Sequence, residues 1–91
     1  MYTATAIKMK PSNIYNYNML TEIKDIYLFE LKKWYPKESL YDFLVENPKS
    51  IKVSNSYGPF LIPSISSNNE KYVRSEANST TIDNLLQLPK Y

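Results

Sequence analysis

The side chains that most often carry out catalysis near neutral pH are absent from this chain of 91 residues, which contains no histidine and no cysteine. An imidazole base, a thiolate nucleophile, a disulfide and a thiolate metal site are therefore excluded. Acid–base chemistry is left to carboxylates, and the candidates are Glu22, Asp25, Glu30, Glu38, Asp42 and Glu46. Their spacing matches no metal-binding pattern, and a single glycine excludes a glycine-rich phosphate loop. We expect no enzyme activity, no metal site and no cofactor.

Arginine and tyrosine side chains are the remaining candidates for binding. Arg74 is the only arginine beside ten lysines, and its planar guanidinium is suited to bidentate pairing with a carboxylate. Tyr15 and Tyr17 would point the same way in an extended segment, and Tyr72 lies two residues before Arg74. Tyr15 and Tyr17 are suited to stacking on a ring or filling a partner's pocket. The alternative, which we prefer, is that they cover the edge of the core.

The charge balance does not favour a nucleic-acid partner. Eleven basic residues stand against nine acidic ones, and the two signs are interspersed along the chain. Nucleic-acid binding requires a basic surface, often with stacking aromatic residues, and only the aromatic residues are abundant here. No apolar run is long enough to span a membrane, and the first six residues do not resemble a signal peptide. We expect a cytoplasmic protein without membrane contact.

The segment from Trp34 to Pro48 shows the clearest helical period of the chain. Its apolar stripe consists of Leu40, Tyr41, Phe43, Leu44 and Val45, and its polar face of Glu38, Asp42 and Glu46. Pro36 suits the first turn of a helix, and Pro48 ends the run. The pattern predicts one main helix at about 37–47. A helix of this length is not stable alone, so a sheet must cover its apolar face.

The rest of the chain reads as short strands and turns. The predicted strands are Tyr2 to Met9, Glu22 to Leu31, Ser50 to Ser54, Phe60 to Ile65 and Lys71 to Ser75. The connection 11–20 is either a loop or an extension of the second strand. Ile82, Leu85 and Leu86 predict a short C-terminal helical turn that docks onto the body. We therefore predict one α+β domain over 1–91, with a small antiparallel sheet of three to five strands packed on the main helix.

The second predicted strand indicates whether the chain needs another subunit to cover its sheet. It is apolar on both sides, with Ile26 and Leu28 on one and Ile23, Tyr27, Phe29 and Leu31 on the other. A strand of this kind is usually central and covered on both faces. Because one helix covers only one face, the second face needs the C-terminal segment or another subunit.

The C-terminal segment carries a recognisable motif. It reads Tyr72-Val73-Arg74-Ser75, then a polar turn, then Asp83-Asn84-Leu85 and Leu88-Pro89. This resembles the closing motif of domain-of-unknown-function family 3892, a family of small bacterial and phage proteins. The chain differs from that family in its long first connection, Pro11 to Leu20, and in Ala77-Asn78-Ser79, where members tend to have a glycine. The resemblance implies a fold and a bacterial or mobile-element origin, but no reaction.

The resemblance also singles out Arg74, Asp83 and Asn84 as polar residues of interest. Our preferred interpretation is that Arg74 ties Asp83 or the C-terminal turn to the sheet. The alternative is that Arg74 binds a ligand.

Taken together, these features favour a non-catalytic binding protein that acts on a protein partner or forms a homo-oligomer. A phage or mobile-element setting favours an inhibitor of a host defence protein, acting in the host cytoplasm. One alternative is a nucleotide-sequestering protein, in which Tyr15, Tyr17 and Tyr72 stack a base and Arg74 or a lysine takes the phosphate. A nucleic-acid-binding accessory protein is the other alternative.

Overall fold

The fold is known from a computed structural model, which describes residues 1–11, 19–53, 59–76 and 84–91. Its strands are β1 (Tyr2–Met9), β2 (Ile23–Leu28), β3 (Lys33–Pro36), β4 (Ile51–Val53), β5 (Leu61–Ile65) and β6 (Lys71–Ser75). Between β3 and β4 lies the helix α1 (Lys37–Glu46), and short 3-10 helices occupy Leu20–Glu22 and Asn84–Gln87. The predicted α+β class, the main helix and the C-terminal helical turn are confirmed. No helix in the described ranges is long and apolar enough to cross a membrane.

Four strands form the main sheet in the order β3-β2-β1-β4. The pairs β1–β2 and β2–β3 are antiparallel, but β4 runs parallel to β1. The sheet is therefore mixed, and the prediction of a wholly antiparallel sheet was wrong in this respect. The reason is the connection through α1, because a helical crossover returns the chain in its original direction. Since β3 and β4 are the two outer strands of this order, α1 connects one edge of the sheet to the other.

The helix buries a narrower stripe than the sequence predicts. Its buried residues are Lys37, Leu40 and Leu44, with Tyr41 and Phe43 partly buried against the core. Val45 is 53% exposed, so its predicted place in the apolar stripe was wrong. The predicted polar face, formed by Glu38, Asp42 and Glu46, is exposed as expected.

The strand β2 is shorter than predicted, and its pattern is shifted by a bulge. The pairing with β1 changes register between Lys8 and Met9, so that Met9 lies opposite Ile23 and Lys8 opposite Asp25. As a result Ile23 is buried together with Ile26 and Leu28, although it was predicted to lie on the other face. Phe29 and Leu31 lie in the turn after the strand, where both are exposed.

The hairpin β5–β6 and the C-terminal tail complete the core around α1. Leu61 and Val73 are buried on the hairpin, and Leu85, Leu86 and Leu88 are buried in the tail. The Ile7 N–H donates to the Pro89 carbonyl, and the Tyr91 N–H donates to the Ile7 carbonyl, both at 2.9 Å. The tail therefore pairs with β1 beyond the point where β4 ends, since β4 pairs only with residues 2–4. The predicted docking of the tail is confirmed.

The tail should contribute directly to stability. We expect Leu85→Ala to lower the free energy of unfolding by about 3 kcal/mol, and Tm by more than about 10 °C, because it opens a cavity beside β1. Thermal unfolding followed by circular dichroism measures the change. Val45→Ala is the control, since it trims an exposed side chain and introduces a better helix former. Equal losses in the two variants would show that the tail is not part of the core.

Candidate functional site

The outer face of the main sheet, opposite α1, carries a group of aromatic side chains. Because Ile26 and Leu28 of β2 are buried beneath the helix, Tyr27 between them points to the other side. An open groove of about 470 Å³ lies on this side. We call its lining residues the aromatic face; they are Thr5, Ala6, Tyr27, Trp34 and Tyr91. No local pattern in the sequence singles out this group.

Strand pairing and the tail bring the aromatic face together. Tyr27 lies opposite Trp34 in the β2–β3 pair and opposite Ala6 in the β1–β2 pair. The small Ala6 leaves space above β1, and the pairing of the tail with Ile7 places Tyr91 next to that space. The C-terminal segment therefore supplies part of the cover that the second face of the sheet was predicted to need.

The rings of the aromatic face hold one another edge to face. The centroids of Tyr27 and Trp34 are 5.2 Å apart, and those of Trp34 and Tyr91 are 5.9 Å apart, each at an interplanar angle of 66°. The Lys8 ammonium lies 4.5 Å from the Trp34 ring centroid, a cation–π contact. Edge-to-face pairs stabilise the positions of the rings beyond their burial, so this surface is preorganised.

A second concave surface lies on the helix side of the sheet, between α1 and the β2–β3 turn. We call this surface the apolar cleft, and its volume is about 290 Å³. The residues that line it are Tyr2, Leu28, Leu31, Tyr35, Ser39, Leu40 and Phe43. Ser39 and the tyrosine hydroxyls are the only polar side-chain groups among them. The cleft has few groups that could orient a small ligand.

The β2–β3 turn beside the apolar cleft is tied to β1 by a carboxylate. Glu30 accepts hydrogen bonds from the Thr3 N–H and the Thr3 hydroxyl, both at 2.7 Å. The Phe29 N–H donates to the Thr3 carbonyl, and the Lys32 N–H donates to the Leu28 carbonyl, both at 2.9 Å. Desolvation raises the pKa of Glu30, but the hydrogen bonds from Thr3 and from the backbone at Glu30 together hold that pKa below its usual value. The carboxylate is therefore used to fix the turn.

Among the described residues, the most deeply buried charge belongs to Lys37, in the first turn of α1, which is 1% exposed. Its ammonium donates to the Glu70 carboxylate and to the Thr21 carbonyl. The same Glu70 oxygen accepts from the Lys10 ammonium at 2.7 Å, and Lys10 lies 3.9 Å from the Glu22 carboxylate. These contacts join α1 to the hairpin, to β1 and to the first 3-10 helix. The burial of Lys37 could be predicted from the sequence, because Leu40 and Leu44 follow it three and seven residues later on the same helical face.

The pKa values in this cluster follow its hydrogen bonds. The bond from Lys10, and after it the bond from Lys37, lowers the pKa of Glu70 from its usual 4.5. The bond to Glu70 raises the pKa of Lys10 above 10.5, although desolvation opposes the shift. Both groups are therefore charged near neutral pH. Their ion pair connects the end of β1 to the β5–β6 hairpin.

The residues that the sequence singled out fall in different places. Tyr72 and Arg74 are half-buried on one side of β6, because Val73 and Ser75 between and after them are buried on the other. The Arg74 guanidinium donates to the Ser75 carbonyl at 3.5 Å. Asn84 begins the second 3-10 helix. Tyr15, Tyr17 and Asp83 lie outside the described residues, and so does the predicted Arg74–Asp83 pair.

The carboxylates considered for catalysis are dispersed. Glu22 lies near Lys10, Glu30 binds Thr3, and Asp42 pairs with Lys71 at 2.9 Å on the surface of α1. Glu38 and Glu46 are exposed on the same helix. Across the described parts of the chain, no three acidic side chains come together in a way that could hold a metal ion.

The fold defines a small α+β domain in which one helix crosses a mixed sheet. A family model described as a protein of unknown function, DUF3892, matches residues 4–89, so the chain belongs to this family. The match runs from Ala4 in β1 to Pro89, the residue whose carbonyl pairs with Ile7. No curated protein and no solved structure matches the chain.

The Lys37–Glu70 contact should couple strongly in a double-mutant cycle. We expect Glu70→Gln to lower the free energy of unfolding by about 3 kcal/mol, because it leaves the buried ammonium without a counter-charge. Adding Lys37→Met should recover much of that loss, because it removes the uncompensated charge. Urea unfolding of the two single variants and the double variant measures the coupling.

A matched control is available on the surface. Asp42→Asn neutralises the carboxylate of the exposed Lys71–Asp42 pair, and it should leave Tm nearly unchanged because exposed pairs are screened by solvent. If Glu70→Gln were no more damaging than Asp42→Asn, the buried cluster would have no special structural role.

The cluster also predicts a pH dependence. The folded-state pKa of Glu70 is depressed, so its stabilisation is present above the unfolded value near 4.5 and is lost as pH falls through the lower folded value. The difference in Tm between the wild-type chain and Glu70→Gln should therefore shrink below about pH 4.5. Thermal melts between pH 3 and pH 7 follow it, and a difference that stays constant to pH 3 would contradict the assignment.

Proposed function

We propose that this domain is a non-catalytic binding protein that acts by contact with another protein, and that the aromatic face is its contact surface. The observation that carries the proposal is the fixed group of Tyr27, Trp34 and Tyr91 above an open groove. Tryptophan and tyrosine are the residues most enriched among those that dominate binding energy at protein interfaces. A contact of this kind needs no chemistry beyond shape and charge.

Preorganisation supports the choice of this surface. Ordering a side chain on binding costs about 0.5–1.5 kcal/mol. The edge-to-face packing around Trp34 orders its ring before a partner binds, so little of this cost remains. The Lys8 ammonium beside Trp34 supplies a positive charge for a carboxylate on the partner. The partner surface that fits is therefore a loop with an aromatic or aliphatic side chain next to an acidic residue.

The geometry favours a protein over a nucleotide. A base stacks on the flat face of an aromatic ring, but the Lys8 ammonium lies over the Trp34 ring. The neighbouring tyrosines meet Trp34 at 66° and form no parallel slot. Tyr72 and Arg74, the residues of the nucleotide-binding alternative, are not among the residues of this groove. In a phage or mobile-element setting, we propose that the contact inhibits a host protein by covering its surface.

The aromatic face can be tested by comparative capture. The wild-type domain, Trp34→Ala and Tyr91→Ala are immobilised and exposed to lysate of cells that carry the gene, and a candidate partner is then purified and titrated. We expect each substitution to weaken binding of that partner by at least about tenfold. Tyr91→Ala keeps the test interpretable if Trp34→Ala unfolds, because Tyr91 is 75% exposed.

Val45→Ala is the matched control, since Val45 is an exposed side chain on the other side of the molecule, on α1. It should bind the partner as the wild-type domain does. A partner that binds all variants equally would show that the aromatic face is not the contact surface.

Nucleotides are tested directly, because Trp34 is the only tryptophan of the chain and its fluorescence reports on the aromatic face. We expect no saturable change in emission with mononucleotides or a single-stranded oligonucleotide. Saturable quenching by either ligand would overturn the proposal in favour of the nucleotide or nucleic-acid alternative.

A further inference from the structure

The β2–β3 turn exposes large apolar side chains, which is unusual for a turn. Phe29 is 59% exposed and Leu31 is 45% exposed, although turns are normally polar. The turn is not loose, because the Glu30 carboxylate and the Phe29 N–H are both bonded to Thr3. An apolar projection that is held rigidly has the properties of an interface anchor.

The apolar cleft lies directly beside this turn, and Leu31 contributes to both. At about 290 Å³ the cleft is at the lower limit for a small-molecule site. It lacks the converging polar groups that orient a small ligand, but it can accept one or two apolar side chains. The same end of the molecule therefore carries a projection and a complementary depression.

The two walls of the apolar cleft also carry opposite charges. Lys32 on the turn and Lys33 at the start of β3 are exposed, whereas Glu46 and Asp42, the latter paired with Lys71, are exposed on α1. Glu46 lies one helical turn after Phe43, a lining residue of the cleft, and Asp42 lies one turn after Ser39. A second copy rotated by 180° would place its basic turn against the acidic edge of the first helix, and the reverse contact would follow by symmetry.

We infer that the apolar cleft is the site of an isologous contact between two copies of this chain. The turn of each copy, with Phe29 and Leu31, enters the cleft of the other, and Lys32 of each copy faces Glu46 of the other. The contact lies on the helix side of the sheet and leaves the aromatic face of both copies open. It is independent of the proposed function, which uses the opposite side of the sheet.

Sedimentation equilibrium tests the contact first. We expect the mass of the wild-type chain to rise with concentration from 10.7 kDa towards twice that value. Leu31→Asp should keep the chain at the monomer mass, because it places a charge in the apolar contact. Ile65→Asp is the matched control on the β5–β6 hairpin, where Ile65 is 51% exposed, and it should dimerise as the wild-type chain does.

A charge exchange tests the symmetry of the contact. Lys32→Glu alone and Glu46→Lys alone should each weaken the dimer by at least about tenfold, because both create like-charge pairs across the axis. An equal mixture of the two variants should dimerise, since each copy then meets an opposite charge at both contacts.

The results that overturn the inference are distinct from those that bear on the aromatic face. A wild-type chain that remains monomeric to about 1 mM removes the dimer altogether. A dimer that survives Leu31→Asp but is lost in Trp34→Ala places the contact on the aromatic face instead. A mixture that dimerises no better than either charge variant excludes the proposed pairing of the two copies.

Discussion

The fold depends on the burial of one ammonium group. Lys37 opens α1 on the same helical face as Leu40, so forming the helix carries its charge into the core. An isolated charge there would be strongly destabilising, and the structure meets this constraint with the Glu70 carboxylate and the Thr21 carbonyl. Both partners come from other parts of the chain, the loop of the β5–β6 hairpin and the 3-10 helix before β2. The Lys37 contacts thereby connect α1 directly to both elements.

The crossover through α1 determines where a partner can bind. A helix of ten residues that connects the two edges of a four-stranded sheet covers one face only. The hairpin and the tail leucines close the core on that same side, and among the described residues the opposite face carries side chains of the strands together with Tyr91 of the tail. A stable sheet cannot leave that face purely apolar in water, and here Tyr27, Trp34 and Tyr91 pack on one another with the Lys8 ammonium over the Trp34 ring. The proposed contact surface is in this sense a consequence of the fold.

The sequence predicts what local periodicity can report and misses what depends on pairing between distant segments. The helix, most of the strands and the docking tail were predictable, because the spacing of apolar residues and the prolines define them. The strand β3 was missed because Lys33-Trp34-Tyr35-Pro36 is too short to show a period, and only its partner β2 makes it a strand. The parallel pairing of β4 with β1 and the bulge at Ile23 were missed for the same reason, because each depends on pairing with a distant segment. The group of Tyr27, Trp34 and Tyr91 joins three separate parts of the chain, so no local pattern contains it.

The C-terminal residues that resemble the family's closing motif differ from those proposed to bind. In the C-terminal motif, Leu85 and Leu88 are buried in the core, and Pro89 accepts the main-chain bond from Ile7. These roles are structural, and any chain that closes its core in this way needs them whatever it binds. Of the aromatic face, Tyr91 lies beyond the matched range 4–89, and neither Tyr27 nor Trp34 belongs to the motif. We therefore expect other members of the family to share this fold. A partner has to be argued from the surface of this chain, because the family description names no function.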